Sequence, residues 1–436
     1  MKPQGLLIAA VLLAVLGGLV WWSNKKQASA DSTKKADTTT KLLSIPDDQF
    51  QNIRIKKVTG EVVDLDRDNG KWKLTEPKLL PADQDAVSGV VTNLSSLNTD
   101  AVIEENAANM KQYGLADPTL DITIKRKDGK TDEVQIGDDT PTGSGAYARL
   151  AGSPKVVTVA SFVKTSLDKK PDDLRDKRLL TFDQDKITRV NLQAKGQPVE
   201  FGKDAQGEWQ ILKPRPLRAD SSAVNAVVDK LRDAKMDLTA PGDASKSFAG
   251  AAKVATATVA DAKGNHTLEV RRDKDKNYFA KSSDVEGAYK MASDVGDALD
   301  KGADDFRNKK LFDFGFSDPS KVEVPGAVYD KSGDKWMSGG KALDNASVQN
   351  LIDKLRDLAA TKFVESGGGN PIFTATVTSN SGKRVEKVTI RKQGDQYFAQ
   401  RENEPSIYQL DAKAVDDLQA AAKDVKPAPA EAPKKK

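Results

Sequence analysis

The sequence predicts an α+β fold: an N-terminal transmembrane helix followed by three tandem repeats of mainly antiparallel sheet with packed helices. Three observations predict it. A charge-free apolar run, Gly5–Trp22, opens the chain. One pattern of strands, tryptophan, aspartate-led helix and hairpins then occurs three times. The connections between strands are short and turn-like, not the long crossovers that parallel strands need.

The first run reads GLLIAAVLLAVLGGLVWW. As a helix rising about 1.5 Å per residue, it just crosses a bilayer core of roughly 30 Å. Trp21 and Trp22 suit a membrane–water boundary, and Lys25 and Lys26 follow on the polar side. A cleaved leader has a shorter apolar core, with its small-residue site close behind; Ala28-Ser29-Ala30 resembles such a site but lies beyond both lysines. Residues 1–22 therefore read as an uncleaved anchor. Lys2 lies before the run and two lysines after it, so the positive-inside rule gives no clean orientation and leans against export. A short stub ahead of a single apolar helix nevertheless sets the expectation that the body lies outside the cytoplasm. Residues 23–41 are small, polar and charged, and read as a flexible tether.

The first pattern element is a strand set closing on a tryptophan: Ile53–Ile55, Val62–Leu65 and Lys71–Leu74 with Trp72; Val190–Leu192, Val199–Phe201 and Glu208–Ile211 with Trp209; Val322–Val324, Ala327–Tyr329 and Lys335–Met337 with Trp336. Apolar and polar residues alternate, the period of a half-buried strand. A helix follows. Asp83, Asp220 and Asp344 stand at the N-cap, where a carboxylate accepts from first-turn amides. From each aspartate, apolar residues recur four, seven, eight and eleven positions on, along one helical face. Next come a hairpin, turning at Lys127–Lys130, Ala262–Asn265 and Asn380–Lys383, then a strand bearing Tyr147, Tyr278 or Tyr397, a further strand and a second helical segment. The copies are expected at 42–182, 183–314 and 315–426, each long enough for its own core. The Pro/Ala/Lys-rich end, 427–436, reads as an unfolded tail.

Composition narrows the function classes. Lys and Arg number 68 against 64 Asp and Glu, a net charge of +4, and the charges alternate, so nucleic acid is not an expected partner. With no cysteine and one histidine, His266, thiolate chemistry is excluded and His-based metal clusters and Ser-His-Asp triads nearly so. His266 lies beside a hairpin turn on a strand expected to be exposed. Gly137–Gly145 lacks the Lys-Ser/Thr of a phosphate loop and reads as a hairpin loop, and Ser366–Asn370 as a flexible connector between helix and hairpin. The acid pairs Asp138-Asp139, Asp172-Asp173 and Asp304-Asp305 read as local ion pairing and helix-end charge. No catalytic residue, metal ligand or cofactor is assigned. The three tryptophans read as core, with a stacking surface as the alternative. Two basic clusters, Arg175-Lys177-Arg178 and Arg307-Lys309-Lys310, follow acidic-apolar phrases and are the candidate partner contact.

The apolar leader, Tyr113-Gly114-Leu115-Ala116-Asp117-Pro118, the run Asp172–Leu180 followed by Phe182, and Tyr147 after Gly143-Ser144-Gly145 resemble the bacterial domain of unknown function 4340. Phe314–Pro319 is a weaker echo of the first phrase. The resemblance implies a single-pass protein of the bacterial inner membrane with its body in the periplasm, encoded beside gliding-motility-type ABC transporters and serving as a non-enzymatic accessory of such an envelope complex. The alternative is a cell-wall glycan or lipid binder using inter-domain clefts.

Overall fold

A computed structural model describes residues 40–239, 244–315 and 319–429. The expected anchor Gly5–Trp22, with Trp21, Trp22, Lys25 and Lys26, lies outside the described residues. Among the described residues no helix is long and apolar enough to cross a membrane. The chain divides into two compact units, 1–177 and 178–436.

In unit 1 the strands are β1 (Lys41–Ser44), β2 (Phe50–Lys57), β3 (Val62–Asp68), β4 (Lys71–Glu76), β5 (Leu80–Pro81), β6 (Ser96–Asn98), β7 (Ala101–Glu104), β8 (Leu120–Arg126), β9 (Thr131–Asp139), β10 (Gly145–Leu150) and β11 (Val156–Ala160), with helices α1 (Gln84–Ser95), α2 (Ser161–Leu167) and α3 (Pro171–Leu174). Nine strands form one sheet, ordered β5-β4-β3-β2-β8-β9-β10-β11-β7, and β1 pairs with β6. The design is two meanders diverging from the central pair β2 and β8. The helix α1 and the edge strand β7 connect them.

Unit 2 carries the same design twice. Its first sheet is built from β12 (Arg189–Ala194), β13 (Pro198–Lys203), β14 (Trp209–Lys213), β15 (Leu217–Arg218), β16 (Ala252–Asp261), β17 (Gly264–Arg272), β18 (Tyr278–Ser282) and β19 (Ala288–Met291). Their order is β15-β14-β13-β12-β16-β17-β18-β19. The helices are α4 (Ser221–Arg232), α5 (Ser245–Gly250) and α6 (Ser293–Leu299). Its second sheet uses β20 (Lys321–Val324), β21 (Ala327–Ser332), β22 (Lys335–Ser338), β23 (Lys341–Ala342), β24 (Ala360–Val364), β25 (Asn370–Ser379), β26 (Arg384–Gln393), β27 (Gln396–Arg401) and β28 (Ile407–Leu410), with α7 (Asn345–Arg356) and α8 (Ala412–Lys423). The order β23-β22-β21-β20-β25-β26-β27-β28-β24 matches that of unit 1.

The first helices form for the reasons their sequence gives. The carboxylate of Asp83 accepts from the Asp85 and Ala86 amides, that of Asp220 from Ser222 and Ala223, and that of Asp344 from Ser347. Each such cap is worth about 1 kcal/mol. The apolar stripes Val87/Val90/Val91/Leu94, Val224/Val227/Val228/Leu231 and Val348/Leu351/Ile352/Leu355 are buried against the sheets. One core cluster serves each sheet. Trp72, Trp209 and Trp336 lie in these cores, at most 7% exposed, so they offer no stacking surface. Each tryptophan amide donates to the side chain that opens the next helix: Gln84 at 2.8 Å, Ser221 at 3.2 Å and Asn345 at 3.2 Å.

Several expectations are corrected. Lys41, placed in the tether, begins a strand and pairs with Asn98. Pro427 and Ala428, placed in the tail, bind beside Leu343 and Ala342. Ser366–Asn370 does not lead straight from helix to hairpin, because β24 intervenes and pairs with β28. Gly369 there has φ +101, and a Cβ would meet the Lys392 carbonyl at 2.0 Å. The loop 140–144 does close the β9–β10 hairpin, with Thr140 donating to the Gly145 carbonyl.

The phrase Tyr113–Pro118 also has a structural role. Gly114, at φ +65, packs on β9, where a Cβ on Gly137 would meet the Tyr113 carbonyl at 2.1 Å. The Tyr113 hydroxyl donates to Glu104 at 2.8 Å and its ring meets Tyr147 at 5.0 Å. Phe314 lies at the start of the third core, and residues 316–318 of its phrase lie outside the described residues.

Candidate functional site

The two basic clusters are parts of a joint. In each acidic-apolar-basic phrase, a buried apolar residue ends one core and an apolar pair starts the next. Leu174 belongs to the unit 1 core, and Leu179 and Leu180 to the first core of unit 2. Likewise Phe306 closes that core, while Leu311 and Phe312 enter the last. The basic residues fall between these anchors, where the backbone pairs first with the copy it leaves and then with the copy it enters. Arg307 bridges to Ala219 and Lys310 to Ala359; in the earlier phrase Arg175 bridges to Ala82 and Arg178 to Lys235.

The second joint is lined by a cleft of about 500 Å³, whose walls include Glu208, Arg218, Asp220, Arg307, Lys309 and Lys310. Three of the six candidate contact residues thus come together. Arg307 is 9% exposed; its guanidinium donates to Asp304 at 3.0 Å and Ser406 at 3.1 Å. Lys309 and Lys310 are exposed. In the first joint Arg175 and Lys177 are half-buried and Arg178 is exposed, with Arg175 ion-paired to Asp172 at 3.7 Å.

The cleft wall is part of a network that joins the two sheets of unit 2. Arg218 pairs with Asp313, with Glu404 at 2.9 Å, and donates to the Tyr408 hydroxyl at 3.2 Å. Arg401 pairs with Glu386 at 3.0 Å and Glu404 at 2.7 Å. The Asp313 amide donates to Glu386, and Arg384 reaches Glu208 at 3.0 Å. Burial works against the Arg218 charge, yet Asp313, Tyr408 and Glu404 outweigh it and hold the group above its ordinary range. Burial pushes the Glu386 carboxyl up, against the pull of Arg401. Burial likewise raises the Tyr408 phenol.

This network is invisible from sequence spacing, since Arg218 and Tyr408 lie 190 residues apart. It is arranged to hold two sheets together, with acids and bases satisfying one another. Among the described residues no group of three or more His, Cys, Asp or Glu is placed to hold a metal ion.

No curated protein and no solved structure matches the chain. The family described as Domain of unknown function (DUF4340) matches residues 72–247 and again residues 209–376. Both matches begin on the strand tryptophan, at Trp72 and Trp209, and both run through a joint into the following copy. Together they cover well over half of the chain, which therefore belongs to the DUF4340 family.

Proposed function

We propose that this chain is a non-enzymatic, membrane-tethered, extracytoplasmic accessory or interaction subunit of an ABC-transporter-like envelope complex. One observation carries the reading: a single sheet-and-helix design occurs three times, and the charged groups in and around the cleft at its second joint pair with one another. Repetition of a unit poor in reactive groups extends surface area rather than building a reaction centre. The apolar run Gly5–Trp22 fits a lipid anchor, and the exposed Lys309 and Lys310 fit an acidic partner surface. Mild solubilisation of membranes and co-purification of the full chain is the test. A transporter membrane subunit is expected in the complex, and recovery of a lone monomer counts against the reading. A C-terminal reporter active only in the cytoplasm checks the orientation; activity there refutes it.

A second reading, a cell-wall glycan or lipid binder, is favoured by the cleft of about 500 Å³ at the second joint. It works without tryptophan stacking, because Trp209 is buried and its indole N–H donates to Asn225 at 2.8 Å. Envelope fragments that alter the tryptophan fluorescence of the wild type, but not of a Lys309→Ala/Lys310→Ala variant, favour it.

A further inference from the structure

The one histidine of the chain is not on an exposed strand face. His266, on β17, has a side chain only 12% exposed and lies between two carboxylates. Its Nδ1 is 2.7 Å from Asp284 and its Nε2 is 3.3 Å from Asp261. Both carboxylates also hold the backbone that enters the first core of unit 2. Asp284 accepts from the Thr181 amide at 2.9 Å and its hydroxyl at 3.2 Å; Asp261 accepts from the Asp183 amide at 2.8 Å. Between those two amides lies Phe182, whose ring centroid is 6.2 Å from that of His266. The segment 181–183 belongs to no helix or strand.

We propose that His266 is a pH-sensitive latch: its imidazolium bridges Asp261 and Asp284 and fastens Thr181–Asp183 to the sheet, and deprotonation loosens that segment.

The chemistry follows from the ring. An imidazolium donates from both nitrogens, so it satisfies both carboxylates at once. A neutral imidazole has one N–H, and its other nitrogen then turns a lone pair toward a carboxylate. Two negative charges are also left across a neutral ring. The other charged groups around it are Asp183, Asp185 and Lys186 on the incoming segment and Lys263 in the hairpin turn. Imidazole is the side chain whose ordinary range falls between pH 5 and 8, so the histidine is the group that switches. Burial opposes its protonation, but Asp284 and Asp261 outweigh burial and raise its pKa. The contribution is therefore complete below the ordinary histidine value and is lost as pH rises through the raised one.

The test uses the full chain in detergent, labelled at its one histidine, so that a single ring signal reports the titration. Amide hydrogen exchange over 178–186 is followed in parallel and corrected for intrinsic pH dependence. The expected result is a midpoint above the free-histidine value and a loss of protection at Thr181 and Asp183 with that same midpoint. The loss is on the order of tenfold, the scale of one charge-assisted hydrogen bond. His266→Gln is expected to show low protection at every pH, with no transition. A midpoint at or below that of free histidine, or protection that stays constant while the ring titrates, overturns the proposal. The wild-type titration decides this even if the variant does not fold.

Discussion

Arg307 holds its guanidinium 3.5 Å from the centroid of the Phe363 ring. The two residues belong to successive copies of the fold, and the contact lies where the chain passes from one core to the next. A residue that reads as a surface contact from its basic neighbours is thus an internal clamp. Stacking on an aromatic face, with planar donation to Asp304 and Ser406, is geometry that guanidinium supplies and ammonium does not.

The first prediction follows. Arg307→Ala removes the cation–π contact and both hydrogen bonds at a buried site, and is expected to cost about 2–3 kcal/mol. Arg307→Lys is expected to recover less than half of that. Urea unfolding followed by tryptophan fluorescence measures both. Equal midpoints for wild type and the alanine variant refute the clamp.

A second prediction concerns Arg218, whose side chain is 14% exposed against Asp313 at 18% and Glu404 at 21%. Arg218→Ala leaves Asp313 and Glu404 half-buried with Arg401 as the one cation of the network still beside both. Loss of one partner from such a network costs about 3–5 kcal/mol, so unit 2 is expected to lose cooperativity or unfold early. Arg218→Met, which restores volume but not charge, is expected to remain destabilised because the acids stay in place. Calorimetry of the full chain distinguishes the outcomes. A transition of unit 2 unchanged in both variants removes the network as the link between its sheets.

These two residues also mark the limit of what sequence reveals. The strand alternation, the N-cap aspartates and the helix stripes are local: each side chain's role depends on neighbours within about eleven positions, and Val87, Val224 and Val348 are buried as their spacing requires. The edge strands are less legible. In β7 three of four residues are exposed, so no alternation marks it, and β24 exposes Thr361 and Lys362. The joint was visible as a phrase but not as a joint, because the anchors Phe306 and Leu311 are distinguished only by which core each enters. The network around the cleft was not legible, since its members come from β15, the joint and the last hairpins. His266 reads as exposed for a related reason: Phe182, whose ring lies beside it, is more than eighty residues upstream.

Asp121 gives a prediction with a pH signature. Its carboxyl is pushed up to about 6, first by burial and then by the nearby Glu133 carboxylate. One of its oxygens is buried without a hydrogen-bond partner. A raised folded-state value means that stability is greatest below the ordinary aspartate range and falls as pH rises through about 6. Asp121→Asn removes the repulsion and is expected to stabilise unit 1 at pH 7.5 by on the order of 1 kcal/mol, after allowance for solvent screening. That gain is expected to vanish near pH 4. Thermal midpoints at the two pH values check it, and a gain equal at both rules out the electrostatic cause.

The end of the third copy supplies the last prediction. The amide of Asp83 donates to the Leu174 carbonyl at 2.8 Å, and that of Asp220 to Phe306 at 2.7 Å. In each case the residue that caps the first helix is tied down by the chain leaving its own copy. In the third copy the Asp344 amide donates to the Lys426 carbonyl at 2.9 Å, and the Ala428 amide to the Ala342 carbonyl at 2.9 Å. The segment 426–428 therefore does for α7 what the joints do for α1 and α4. Truncation after Val425 leaves the Asp344 amide unpaired and the first turn of α7 less fixed. A loss of about 1–3 kcal/mol in the third copy is expected, with faster amide exchange at Ser347 and Val348. Truncation after residue 429 is expected to change neither. If both truncations behave alike, the segment is not a structural closure and the equivalence of the three copies ends at α8.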